Sequence, residues 1–375
     1  MISLIKRNTF ALTVGVITAG AISCSTPAQA TDYPLQMENC GNSLTFDAAP
    51  DRVVSIGQSS TEILYLLGLA DKVVGTAVWL GPVLDEFKDV NANIPRLADD
   101  DPSFESVVGT KPQLVTTQFQ WHVGPKGAVG TIAQFNEFSI PVYTSPADCK
   151  GKDNSTGGDG TRSDAFSMAM IYQEIGDLAK IFDVEARGDA LIADIKAREK
   201  AAREKVAGIA DGDVSAVIWF SSAELDIDPY VAGKKGAPGY IMSILGVENV
   251  ITSNEEWPTV GWETVARANP DIIVIGKMDR RRYQADDWEL KLDFLKNDPV
   301  TRQMKAVKQG HIVVMDTFLI HITMNNIFVP IFHSFGLFPK GNKQVFFQTP
   351  IQKSPVRPNF DHFQIGKTIT DYLGF

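Results

Sequence analysis

Hydrophobic positions in this chain alternate between two textures. Short apolar runs, at 52–56 (RVVSI), 113–117 (QLVTT), 215–220 (SAVIWF), 271–275 (DIIVI) and 311–315 (HIVVM), have the length and β-former content of strands buried on both faces. Between them lie stretches with helical spacing, at 62–69, 131–138 and 166–182. The last places Met170, Ile171, Ile175, Leu178, Ala179 and Phe182 along one face. Strand, helix and strand in this order predict βα units of a parallel sheet. A helix is also expected over 240–245 and another near 293–308. The Gly-rich stretch 150–164 (KGKDNSTGGDGTRSD) lacks the closing Gly-Lys-Ser/Thr of a phosphate loop and reads as a surface loop.

One phrase occurs twice. Residues 103–117 (SFESVVGTKPQLVTT) and 261–275 (GWETVARANPDIIVI) both place an acid at the start of a helical turn, Glu105 and Glu263. Each has a proline seven positions on, followed by an apolar strand. A unit used twice predicts two lobes built on one plan. Between them, 184–206 is charged, rich in alanine and free of Pro and Gly beyond Gly188. At 1.5 Å per residue it would span about 35 Å, enough to join two lobes, although an ordinary surface helix fits the same pattern. The expected organisation is a leader and tether over 1–30, an N-terminal α/β lobe over 31–182, a connecting helix over 183–208 and a C-terminal α/β lobe over 209–316. The tail 317–375 holds nearly half of the phenylalanines and is interrupted by Pro330. It is either a divergent ending or the product of a reading-frame error.

Composition narrows the partners. The 375 residues are 44% apolar and 21% charged, as in soluble globular domains, and the net charge of -10 disfavours nucleic acid and anionic membranes. Lys6, Arg7 and the apolar stretch 10–22 form an export leader too short to span a bilayer. Two exits are open: Ala28-Gln29-Ala30 is an A-x-A cleavage site, and the stretch ending in Cys24 has the form of a lipobox. Both place the mature protein outside the cytoplasm, anchored to the membrane only through lipid on Cys24. There Cys40 and Cys149 form an even pair, either a disulfide or two buried thiols.

The stretches RVVSIGQSSTEILYLLGLADKVVG, SFESVVGTKPQLV, GWETVARANPDIIVI and AVKQGHIVVMD, in this order with the long helix between the second and third, resemble the iron/B12 periplasmic-binding family. These are the substrate-binding proteins of ABC importers for ferric siderophores, haem and cobalamin. The resemblance implies an α/β fold of two lobes with mainly parallel sheets joined by a single long helix, the class III type, with ligand held between the lobes. It also implies a monomer that delivers ligand to a permease and its ATPase, and a role for Glu105 and Glu263 in docking onto permease arginines. Taken alone, each glutamate would merely complement its helix dipole.

Ligand-binding candidates sit at the carboxyl ends of strands: Trp79, Phe119, Trp121, His122, Trp219, Tyr230, Met278, Arg280, Arg281 and Arg282. Aromatic faces offer apolar contact to a large ligand, and guanidinium groups chelate carboxylates or an anionic ferric complex. Core packing is the competing reading for each Trp, and a solvated loop for the arginines. Trp257 and Trp262 read as structural. His122 lacks neighbours at metal-ligand spacing and reads as a hydrogen-bonding residue, so no intrinsic cofactor is expected and iron would enter only inside a chelate. A ferric siderophore is the first expectation, with cobalamin, haem or another tetrapyrrole as alternatives. A secreted α/β enzyme is the competing class; neither a G-x-S-x-G elbow nor an H-E-x-x-H motif is present.

Overall fold

In a computed structural model, residues 30–155, 160–206, 214–279 and 282–317 are described. The chain opens with an antiparallel hairpin, β1 (Leu35–Asn39) and β2 (Asn42–Phe46). Then follow β3 (Val53–Ile56), α1 (Gln58–Leu66), β4 (Val73–Ala77), α2 (Lys88–Ala92), α3 (Phe104–Gly109), β5 (Leu114–Thr117), α4 (Ile132–Glu137) and β6 (Val142–Thr144). Next come the two-residue strands β7 (Lys152–Asp153) and β8 (Thr161–Arg162), and the helices α5 (Met168–Ile181) and α6 (Glu185–Val206). The second half contains β9 (Val214–Ser221), β10 (Tyr230–Val231), α7 (Ala237–Ile244), β11 (Val247–Asn249), α8 (Trp262–Ala268), β12 (Ile272–Lys277), α9 (Trp288–Asn297), α10 (Lys305–Gln309) and β13 (Ile312–Asp316).

The first sheet has the order β4-β3-β5-β6 and is parallel throughout. In the second, β11, β9, β12 and β13 are parallel and β10 runs antiparallel along β9. Every residue of β3 and β5 is buried, as expected for strands covered on both faces. The repeated phrase takes the same place in both sheets. Helix α3 leads into β5 between β3 and β6, and α8 leads into β12 between β9 and β13.

Helix α6 does not bridge the two sheets alone. It forms a hairpin with α5 through Asp183, which adopts a left-handed φ of 55°. One continuous core runs from Leu64 of α1 and Leu67 just after it, through Ile175 and Leu178 of α5, to Ala216, Ile218, Ile241 and Met242 of the second half. At one end of the hairpin, Arg187 donates to the carbonyl oxygen of Leu67 at 3.1 Å. At the other, Glu199 of α6 accepts from the hydroxyls of Tyr172 on α5 at 2.9 Å and Tyr240 on α7 at 2.7 Å.

Two local expectations change, and the cysteine pair takes the first of its two expected forms. The helix foreseen near 293–308 is two helices, because Pro299 cannot continue α9, and Asp298 accepts from the N–H groups of Val300 and Thr301 instead. The stretch read as a surface loop at 150–164 contributes β7 and β8. Its Arg162 pairs with Glu256 of the second half and donates to the Ala147 carbonyl at 2.7 Å. Cys40 and Cys149 are joined as a disulfide that ties the β1–β2 hairpin to the segment after β6. Cys24, Arg280, Arg281 and the tail from 318 onward lie outside the described residues.

Candidate functional site

The carboxyl ends of the two sheets face each other, the position at which open α/β sheets hold ligands. The backbone N–H of Asp279, after β12, donates to the carbonyl of Leu80, after β4, at 3.1 Å. Beside it, the Asp316 carboxylate closes β13 against Gly81, where an added Cβ would lie 3.2 Å from Oδ1. Gln58, the first residue of α1, organises the loop on the opposite side. Its Oε1 accepts the N–H groups of Leu80 and Gly81, each at 3.1 Å, and its Nε2 donates to the carbonyl of Pro82 at 3.0 Å. Gly57 before it has φ 127°, and a Cβ there would meet Gln118 Cβ at 2.3 Å, so this junction of β3 and β5 requires glycine.

A buried aspartate positions the cleft loop of each half. Asp148 Oδ2 accepts the N–H of Gln120 at 2.6 Å, while Oδ1 accepts Lys152 Nζ at 2.5 Å. In the second half, Asp286 accepts the Ser221 hydroxyl at 2.6 Å and the N–H groups of Arg282 and Tyr283 at 2.8 and 3.0 Å. Lys291, fully buried, donates to the carbonyls of Phe220 and Gly276 and so ties together the ends of β9 and β12. None of these residues stands out in sequence, since each is a lone polar residue without a motif. Their only signal is placement within a few residues of a strand end or at a helix start.

The predicted ligand-binding residues fall into two groups. Phe119 and Trp121 are half-buried in the loop after β5, with ring centroids 6.3 Å apart and planes 27° apart. Tyr230 and Tyr283 approach to 6.4 Å, and the exposed Arg282 lies 5.7 Å from the Tyr283 ring. Phe119 and Trp121 follow the carboxyl end of β5, and Tyr230 pairs with Ser221 at the carboxyl end of β9. Trp79, His122, Trp219 and Met278 are buried instead. Arg96 covers the Trp79 ring at 4.7 Å, and Trp219 packs edge-on against Trp262 at 4.7 Å with its indole N–H bound to the Ser221 carbonyl. The His122 ring lies 3.8 Å from that of Trp121. Its Nε2 is 3.3 Å from Asp101 Oδ1, an ion-pair distance without hydrogen-bond alignment. Trp257 is half-buried and stacks on Phe220 at 4.6 Å, which puts an aromatic pair at the end of β9.

Helices α1 and α5 each carry a buried carboxyl group, Glu62 and Glu174. Burial pushes Glu62 up to about 8, although Gln58 and the Leu84 N–H both donate to its Oε1. Burial also pushes Glu174 of α5 up to about 7, against the opposing hydrogen bonds from the Ser145 and Ser60 hydroxyls. Neutral acids at these positions let α1 and α5 pack without an uncompensated charge. Among the described residues, no group of three or more His, Cys, Asp or Glu is placed to hold a metal ion.

Glu105 and Glu263 are both exposed in the first turns of α3 and α8. Ser103 caps α3 by accepting the Ser106 N–H at 3.1 Å, so Glu105 is not needed as the cap.

Residues 53–317 match a family model described as periplasmic binding protein. An uncharacterized ABC transporter substrate-binding lipoprotein of Bacillus subtilis is 25% identical over 74% of this chain and 82% of its own length. A cobalamin-binding protein of Halobacterium salinarum is 24% identical over 80% of this chain and 74% of its own. Among solved structures, an ABC-type Fe3+-hydroxamate transport system from Saccharomonospora viridis superposes with a TM-score of 0.65 at 23% identity, covering 81% of this chain and all of that one.

Proposed function

This chain belongs to the periplasmic binding protein family, and from that membership we propose that it is the extracytoplasmic substrate-binding protein of an ABC importer. It captures a ferric siderophore between its lobes and hands it to a permease driven by an ATPase. The observation that carries the importer role is the pair Glu105 and Glu263, exposed at equivalent corners of two sheets of the same plan. Exposed carboxylates at a fixed spacing suit bidentate pairing with permease arginines. Capture followed by release of unaltered ligand, rather than turnover, is the activity of this reading.

The siderophore assignment is supported by the chemistry at the junction of the sheets. Arg282, with Arg280 and Arg281 beside it in sequence, supplies positive charge for an anionic ferric complex. Phe119, Trp121, Tyr230 and Tyr283 supply flat apolar area. Cobalamin is the second reading, favoured by the similarity to the Halobacterium cobalamin-binding protein. Export follows one of the two routes written in the leader, lipidation at Cys24, as the name of the Bacillus subtilis relative says of that protein, or cleavage after Ala30.

The docking role is tested with the double variant Glu105→Ala, Glu263→Ala. Cells carrying it should lose uptake while the purified protein keeps its ligand affinity. Uptake at the wild-type rate by the double variant would remove the docking role.

A further inference from the structure

Thr31 is the first buried residue of the described chain, and Ala30 before it is exposed. The Thr31 backbone nitrogen lies 2.6 Å from Asp183 Oδ1. Its hydroxyl donates to Glu185 Oε1 at 2.6 Å and lies 3.0 Å from the carbonyl oxygen of Lys180. That carbonyl belongs to the last turn of α5, where unsatisfied acceptors gather and the helix dipole is negative. Tyr33 closes the same helix end by donating to the Ile181 carbonyl at 2.8 Å. Asp183 holds its place in left-handed backbone geometry, at a φ of 55° that costs a non-glycine residue. Asp183 therefore faces the backbone nitrogen, while Glu185 and the carboxyl end of α5 meet the hydroxyl of the same residue. As an amide, that nitrogen offers one hydrogen and no charge. An ammonium offers three hydrogens and a full positive charge, and charge-assisted hydrogen bonds are about twice as strong as neutral ones.

The leader contains an A-x-A cleavage site, Ala28-Gln29-Ala30, that ends one residue before this socket. We propose that the mature chain begins at Thr31 and that its α-ammonium group is held by Asp183, with Glu185 and the carboxyl end of α5 fixing the Thr31 hydroxyl and adding negative charge beside it. Water adds across the Ala30–Thr31 peptide bond, Ala30 keeps the new carboxylate with the released leader, and Thr31 keeps the nitrogen, which takes up a proton. This route leaves Cys24 in the discarded leader, so the mature protein is a free extracytoplasmic protein without a lipid anchor. The inference is independent of the ligand and of permease docking.

Two measurements test it. The full-length chain is expressed with its own leader in a bacterium that has both signal-peptidase types, and the exported protein is analysed by N-terminal sequencing and intact mass. The expected product starts Thr31-Asp32-Tyr33; an acylated Cys24, or any other first residue, overturns the proposal. The socket itself is tested by comparing a mature chain that starts at Thr31 with one that retains Ala30. Retention should lower Tm by about 2 °C, and the difference should vanish when both chains carry Asp183→Asn and Glu185→Gln. Equal Tm for the two unsubstituted chains, or a difference that survives both substitutions, overturns the ammonium socket even if cleavage occurs after Ala30.

Discussion

At the scale of residues, aromatic side chains near strand ends divide between half-buried positions and the core, and sequence alone does not separate them. Trp121 follows one β-rich run and Trp219 lies near the end of another, yet Trp121 is half-buried and Trp219 fully buried. The difference lies in α9, whose Phe294 packs against Trp219 at 5.9 Å, a contact between residues far apart in sequence. Trp219→Ala should therefore destabilise the fold by about 3–5 kcal/mol through the cavity it leaves. Denaturant unfolding measures this, and a loss below about 1 kcal/mol would place the ring outside the core. Glu174 makes a second prediction. Its carboxyl stays protonated to about pH 7 in the folded protein, against an ordinary value of 4.5 in the unfolded chain. The stability it contributes is full below about pH 4.5 and is lost as pH rises through about 7, at up to about 1.4 kcal/mol per pH unit. Glu174→Gln, a mimic of the protonated acid, should therefore gain on wild type between pH 5 and pH 8 in thermal unfolding. A Tm difference that stays constant across that interval would contradict the assignment.

At the scale of elements, long periodic segments were legible and short ones were not. The apolar spacing of 166–182 places α5 within two residues of its observed ends, and the duplicated phrase locates α3–β5 and α8–β12. Strands β7 and β8 have two residues each, too few for any period to register, and their pairing depends on Arg162 reaching Glu256 across the molecule. The bridging role of α5 was hidden for a similar reason. Its amphipathic pattern shows that one face is buried, but not that the burying residues come from both halves. The disulfide was legible as an even cysteine pair, and its structural effect is to close a loop with a sequence separation of 109. Cys40→Ser together with Cys149→Ser should cost about 2–5 kcal/mol. Equal denaturation midpoints for the oxidised protein and the double variant would show that the bond adds nothing to the native fold.

At the scale of the whole molecule, a helical hairpin and a continuous core hold two parallel sheets so that their carboxyl ends meet. Helices α3 and α8, each leading into an inner strand of its sheet, carry Glu105 and Glu263 into solvent. The proposed function assigns ligand chemistry to the space between the halves and transporter chemistry to the exposed first turns of α3 and α8. The sequence resemblance reached as far as this plan. It did not reach Asp148, Asp286 and Lys291, which hold the cleft loops in place and belong to no local motif. Titration of the purified protein against a panel of ferric siderophores, haemin and cobalamin, followed by tryptophan fluorescence, tests the central claim most directly. Saturable one-to-one quenching by a ferric siderophore, with the ligand recovered unaltered, is the predicted result. Absence of saturable binding to every member of the panel, or chemical conversion of the bound compound, would contradict it.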